Sequence, residues 1–371
     1  FSASFNMIIP ELPNHLSAMG GGEHKGLIIA LFTLTAGISR PFSGKLTDKW
    51  GRVPVMAIGS IVCFVCGFLY PVISSVAGFF MLRLIHGFST GFKPTATSAY
   101  VADIIPQEKW GEALGMHGLC FGIGSAVGPA LGGYIVPLVG INGLFYCSSA
   151  FAMLSILIVL RMKETLVTKQ TFSMSMLRIS RSDLIERRAI PAGVVTFLSY
   201  SAYGVILTLI PDWSEHLGIA NKGLFFTAYT VASIAIRLVS GKVADKYGRI
   251  NVMLVGIFIM VISLIFIALG NSINGLLLGA VIYGIGTGIL SPALNAWTID
   301  LSLPQYRGKA MATMYIALEA GIGLGALFAG YIYHDVMSRV PYIMFGNSFV
   351  ILAAFAYILY WDRQNKQKLT Y

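Results

Sequence analysis

Residues 39–52 read SRPFSGKLTDKWGR, and residues 236–249 read IRLVSGKVADKYGR. Both fit the frame G-K-x-x-D-K-[WY]-G-R, the second lies 197 residues after the first, and both sit between long apolar runs. The same offset carries Arg40 to Arg237, Gly44 to Gly241, Asp48 to Asp245, Gly87 to Gly284, Gly91 to Gly288, Asp103 to Asp300, and Gly124 and Gly128 to Gly321 and Gly325. One unit therefore occurs twice in the same direction along the chain.

The runs around these stretches set the solvent. Residues 252–270, VMLVGIFIMVISLIFIALG, are apolar on every face, whereas a barrel strand alternates over about ten residues. Of the 371 residues 56% are hydrophobic and 11% charged, with mean hydropathy +0.75, against about 25% charge in a soluble domain. The fold class is an all-α polytopic membrane protein. Polar and Gly/Pro breaks predict twelve transmembrane helices at 1–17, 25–45, 54–73, 76–102, 111–138, 141–162, 190–212, 222–241, 251–270, 273–300, 308–333 and 340–361. The longest polar stretch, 163–188, splits them six and six and includes a candidate short amphipathic helix at 175–188. The expected domains are a six-helix bundle at 1–163, a linker at 164–189 and a second bundle at 190–371.

Charge gives orientation. Twenty-six Lys and Arg against 16 Asp and Glu leave a net charge of +10, which in isolation suggests a polyanion partner. With both termini cytoplasmic, however, the inner side receives Lys45, Lys49, Arg52, Lys109, the linker, Lys242, Lys246, Arg249, Arg307, Lys309 and the tail, and the outer side only Lys25, Lys222 and Arg339. The positive-inside rule thus accounts for the charge and no nucleic-acid partner is expected. Cys63, Cys66, Cys120 and Cys147 lie in apolar runs and read as buried small residues. No cleavable signal peptide is visible, and from an opening at Phe1 within an apolar run the natural N-terminus is expected to lie further upstream.

Two parallel six-helix repeats about an axis normal to the membrane are a transporter architecture, with the substrate site expected near the midplane. Here the residues carry a family resemblance. GKLTDKWGR and its copy GKVADKYGR resemble the loop signature of the major facilitator superfamily. FMLRLIHGFSTG, with Arg83 before Gly87, is similar to its fourth-span motif, and GIGSAVGPALGG at 122–133 to the fifth-span motif of its twelve-span drug:proton antiporter branch. The resemblance implies the major facilitator fold, a monomer in a bacterial inner (cytoplasmic) membrane, and export of a small organic molecule in exchange for protons. It also implies that Asp48, Arg52 and Asp103, with Asp245, Arg249 and Asp300 as second copy, form gating clusters on the cytoplasmic side. For the fifth-span face it implies a seal between the bundles.

Physically, Gly44 and Gly51, with Gly241 in the second copy, permit a tight turn and close helix approach, while Lys45 and Lys49 simply obey the positive-inside rule. Gly124, Gly128 and Gly132, beside Pro129 and Gly133, form a small-residue stripe that admits another helix. Ionisable groups at membrane depth are functional candidates by default. Arg83, Lys93 and Glu319 are the deep ones; at 1.5 Å per residue Lys93 and Glu319 lie about 15 Å from the inner face. Glu319 is the candidate proton-coupling carboxylate, with Arg83 or Lys93 its partner or a substrate contact. Arg40 and Arg237 are read as structural charges near span ends. Asn6, Glu11, His86, Lys93, Tyr203, Tyr283, Asn295 and Trp297 are candidate cavity residues, His86 being favoured over His117.

No GxxxxGK[ST] loop, HExxH, paired CxxC or nucleophile elbow occurs, so neither enzyme chemistry, a metal nor ATP is expected. The resemblance implies a proton gradient as the energy source, without a cofactor, and the substrate, protons and the lipid bilayer as partners. A specific metabolite exporter for a sugar, siderophore-like compound or lipid, an uptake symporter and, from another class, a non-transporting receptor are the rival readings.

Overall fold

The structure, a computed structural model, describes the chain except residues 107–109, 167–168, 180–184, 271, 304–306 and 369–371, and only the backbone at 102, 110–115, 241–242, 245, 307–308 and 365–368. Every regular element among the described residues is helical, as a lipid environment demands of backbone that must satisfy its own N–H and C=O groups. The α-helices are α1 Ser2–Ile8, α2 Leu12–Ala18, α3 Lys25–Lys49, α4 Arg52–Leu69, α5 Val76–Ile104 and α6 Trp110–Leu160, then α7 Ile190–His216, α8 Leu224–Tyr247, α9 Arg249–Leu269, α10 Ile273–Leu301, α11 Arg307–Tyr333 and α12 Val340–Lys368.

Breaks fall where the backbone requires them. A 3-10 turn, Ile9–Glu11, separates α1 from α2, with Pro10 and Pro13 removing N–H donors there. α6 turns at Gly140, whose φ of 73 lies in the left-handed region. Among the described residues, eight stretches are long and apolar enough to cross a membrane. One is Met116–Leu160, which contains the Gly140 turn and counts once. α5, with Arg83, His86 and Lys93, is not among them, and α8 contributes the shorter apolar run Leu224–Ser240.

The chain divides into two compact units, Phe1–Leu184 and Ile185–Tyr371. Helix pairing repeats between them: α1 on α6, α3 on α5 and α4 on α5 in the first unit correspond to α7 on α11, α8 on α10 and α9 on α10 in the second. The duplication reaches single hydrogen bonds. Ser43 Oγ donates to the Gly91 carbonyl at 2.7 Å, and 197 residues later Ser240 Oγ donates to the Gly288 carbonyl at 3.0 Å. Gly91 and Gly288 make these approaches possible, because a Cβ on either would collide with Ser39 or Ile236.

The centre of the short amphipathic helix expected at 175–188, residues 180–184, lies outside the described residues; the described part of the linker holds two short 3-10 turns, Met174–Leu177 and Arg187–Ala189. The first is anchored by Met176, buried among Leu46, Val55, Met56, Ala57, Ala96 and Val159.

Candidate functional site

At the end of the first unit that carries the loop motif, α3 reaches Lys49 and α4 begins at Arg52 after a turn at Gly51, φ 143. Arg52 Nε holds Asp103 Oδ2 at 2.9 Å, its Nη1 lies 3.6 Å from Asp48 Oδ1, and Nη1 donates to the Thr47 carbonyl at 2.5 Å. The side chain of Arg52 is 13% exposed and that of Asp103 28%. Asp48, 74% exposed, is the peripheral member. In the second unit Arg249 Nε meets Asp300 Oδ2 in the same way. Gly248, φ 85, makes that turn. The surroundings of Gly241 and the side chain of Asp245 lie outside what the structure describes.

Two glycine expectations need correction. Gly44 lies inside α3, and nothing stands within 4 Å of where its Cβ would be, so it makes neither turn nor close approach; the turn belongs to Gly51, and the close approach between α3 and α5 to Gly87 and Gly91. The stripe Gly124, Gly128 and Gly132 packs backbone to backbone on α1 of its own unit, against Ser2, Ala3 and Met7. Ser2 Oγ fastens the contact by donating to the Phe121 carbonyl at 2.8 Å. The stripe is thus an intra-unit joint, and Gly321 and Gly325 repeat it against Phe197 and Ser201 of α7. α6 runs through Pro129, with Gly133 buried beside it.

Inside the first unit Arg83 is 1% exposed. Its Nε donates to the Ile28 carbonyl at 2.9 Å, its Nη1 to Tyr70 Oη at 3.3 Å, and its guanidinium lies 4.5 Å from the Phe32 ring centre. The network continues from Tyr70 to His86 Nδ1 at 3.2 Å, from His86 Nε2 to Cys63 at 3.5 Å, and from Cys63 to Ser4 at 3.4 Å. Lys93 points the same way along α5. Its ammonium donates to Ser60 Oγ at 2.7 Å and to Ser155 Oγ, and lies 5.0 Å from the Phe1 ring centre. Neither cation has a carboxylate among these partners. Asn6 donates to the Ser2 carbonyl and to Ser125 Oγ, and Glu11 is buried in the 3-10 turn. Arg40 is half-buried.

In the second unit three tyrosine rings line up: Tyr203 and Tyr229 are 5.7 Å apart and Tyr229 and Tyr283 5.5 Å, with the Tyr283 hydroxyl buried and unpartnered among the described residues. Asp212 is 4% exposed and accepts from Tyr333 Oη at 3.0 Å. Glu319 is 8% exposed on α11, Asn295 half-buried on α10, and Arg237 exposed on α8. Trp297 stands apart from the tyrosines, one turn before Asp300 and 5.0 Å edge-on to Trp361.

With this geometry in hand, the chain matches a sequence model of the Major Facilitator Superfamily over residues 1–181 and 192–370. The chain belongs to the Major Facilitator Superfamily. It is similar to the multi-drug resistance efflux pump PmrA of Streptococcus pneumoniae serotype 4, 29% identical over 316 residues that cover 79% of this chain and 76% of that protein. It is also similar to multidrug resistance protein 2 of Bacillus subtilis, 25% identical over 373 residues, 96% of this chain and 91% of that protein. The crystal structure of the human organic anion transporter MFSD10 (TETRAN) shares the fold, with a TM-score of 0.74 over 96% of each chain at 19% identity.

As a major facilitator chain the protein is a membrane transporter and not an enzyme. Several of its polar contacts come from residues that no motif names. Tyr70, Tyr229 and Tyr333 sit in or beside apolar runs and carry no spacing signal. Glu164 and Thr165 stand just past the end of α6, where Thr165 Oγ1 reaches Asp103 Oδ2 at 2.6 Å. The one sequence trace of them is that α4 starts at Gly51 without a Ser, Thr, Asp or Asn to cap it.

Proposed function

We propose that this superfamily member is a proton-coupled exporter of small organic molecules, a twelve-span antiporter working by alternating access in a cytoplasmic membrane with both termini inside. The observation that carries the reading is the matched pair of ion contacts, Arg52 with Asp103 and Arg249 with Asp300, at duplicated positions. A static scaffold gains little from repeating such a pair at the same end of both halves, whereas a transporter that opens and closes that end needs a breakable contact in each. Export, and a drug-like substrate, are supported by relatives named as multidrug efflux pumps.

In this reading residues 1–163 and 190–371 are the moving bundles and 164–189 their linker. Glu319, buried on α11 at membrane depth, is the proton carrier in this reading. Arg83 holds a fixed positive charge in the first half. Tyr203, Tyr229, Tyr283, Asn6, Asn295, His86 and Lys93 supply ring faces and hydrogen-bonding groups to substrate. The protein acts as a monomer and takes its energy from the proton gradient.

The test is proton flux in proteoliposomes holding an internal pH dye, wild type against Glu319→Gln, as ethidium, a neutral compound and an organic anion are added in turn under an imposed pH gradient. Compound-dependent dissipation in wild type that is lost in Glu319→Gln is the expected result. Flux surviving in the variant would move coupling to another carboxylate, and substrate movement without proton flux would replace antiport by uniport.

A further inference from the structure

The first turn of α4 has no cap of its own. Gly51 precedes it in a conformation open to glycine, and Pro54 has no N–H, so Arg52 and Val53 hold the amides in need of acceptors. Both are met from the far side of the unit. Arg52 N donates to Glu164 Oε1 at 3.0 Å and Val53 N to Glu164 Oε2 at 3.1 Å. Oε1 also accepts from the amides of Thr165 and Leu166, each at 3.0 Å. A Cβ on Gly51 would collide with the Glu164 carboxylate, so glycine is needed there for space as well as for φ.

The next residue completes the arrangement. Thr165 Oγ1 donates to the same Asp103 oxygen that Arg52 Nε holds, at 2.6 Å and 2.9 Å respectively. Glu164 therefore fixes the main chain of both residues whose side chains converge on Asp103. The linker continues the grip on the other side of the loop: Gln170 N donates to the Lys49 carbonyl at 2.9 Å, the Lys45 ammonium donates to the Arg178 carbonyl, and Trp50 faces Phe172 at 5.4 Å.

The equivalent positions of the second repeat carry different residues. An offset of 197 takes Glu164 and Thr165 to Trp361 and Asp362, and α12 stays helical through both, whereas α6 ends at Leu160. The start of α9 borders a cavity of about 320 Å³ whose lining includes Gly248, Arg249, Asn251, Trp297, Asp300 and Asp362.

We propose that Glu164 and Thr165 are positioning residues for the gate of the first repeat, and that the described linker residues 163–166 and 169–179 form a strap whose seating sets whether Arg52 and Asp103 can meet. This rests on reading the Arg52–Asp103 pair as a gate. Opening the first repeat then requires the strap to lift or to travel with the loop.

The test combines amide exchange read by mass spectrometry on the purified full chain, which needs no substrate, with ethidium turnover in proteoliposomes. Glu164→Gln is expected to speed exchange at Arg52 and Val53 at least tenfold and to speed it at the end of α5, around Asp103, as well. Thr165→Val, which leaves the cap in place, should speed exchange only at the α5 end, and Thr165→Ser should restore it. Turnover should fall several-fold at unchanged KM in Glu164→Gln and Thr165→Val, with no further fall when either is combined with Asp103→Asn. Exchange confined to Arg52 and Val53, or losses that add fully to those of Asp103→Asn, would reduce Glu164 to a helix cap and overturn the proposal. Wild-type turnover in Asp103→Asn alone would remove the gate itself, a failure distinct from the strap's.

Discussion

Arg83 Nε donates to the main-chain carbonyl of Ile28 at 2.9 Å, seating a full positive charge against the backbone of the neighbouring helix. The other contacts of that guanidinium are a tyrosine hydroxyl and a phenylalanine ring. Meeting all three at once takes a planar fork with diverging donors, which a lysine ammonium does not have. Arg83→Lys is therefore expected to lower ethidium turnover in proteoliposomes by at least tenfold. Tyr70→Phe, which gives up the hydrogen bonds to Arg83 and to His86 but leaves the guanidinium in place, should lower it several-fold. Equal activity in Arg83→Lys and wild type would show that charge alone suffices.

The α1–α6 joint makes a prediction about stability. A Cβ at Gly128 would lie 2.7 Å from the Ala3 carbonyl oxygen, while one at Gly44 meets nothing within 4 Å. Gly128→Ala should cost about 1–3 kcal/mol through overpacking. Gly44→Ala, in a helix with room to spare, should gain up to about 1 kcal/mol from helix propensity. Thermal unfolding of the two variants in detergent measures the difference, and matching midpoints would contradict the packing.

What was readable in the sequence follows from what a repeat can carry. Arg52, Asp103, Arg249 and Asp300 stood out because the same offset linked all four, and their side chains do meet in pairs. The stripe at Gly124, Gly128 and Gly132 announced close packing, but small residues admit any helix, so their partner on α1 was not encoded in them. Gly44 was misread because a conserved-looking frame does not say which of its glycines turns the chain; positive φ at Gly51 and Gly248 does. Lys93 was placed at depth by helical rise alone, while its partners Ser60 and Ser155 lie on two other helices. Glu164 left almost no trace, since its partners are backbone amides that every residue but proline presents.

The cap has a pH signature. Burial pushes the Glu164 carboxyl up, but the four backbone N–H groups it accepts from outweigh this and hold it below the usual carboxylate range. Its stabilising contribution is therefore complete above the unfolded glutamate value of about 4.3 and is lost only as pH falls through the lower folded value. Trp50, beside the strap, reports it once Trp110, Trp213, Trp297 and Trp361 are replaced by Phe. Emission should hold from neutral pH through the usual carboxylate range and shift only below it, whereas added Glu164→Gln should show the acid-side emission throughout. Asp48 and Asp103 also stand beside Arg52, and the comparison isolates Glu164 because both remain in the variant. Identical titrations with and without Glu164→Gln would contradict the cap.

Tyr283 brings stability and transport into opposition at one atom. Its hydroxyl is fully buried on α10 with no partner among the described residues, while its ring packs 5.5 Å from that of Tyr229. A buried hydroxyl without a hydrogen bond costs about 1–3 kcal/mol, and phenylalanine removes that cost while keeping the ring. Such a cost is tolerated where the group meets a ligand in another state of the protein. Tyr283→Phe is accordingly expected to raise the unfolding midpoint and, in the same preparation, to raise the KM for ethidium several-fold with turnover retained. A more stable variant with wild-type KM would take the Tyr283 hydroxyl out of the substrate path and leave its ring as packing for Tyr229.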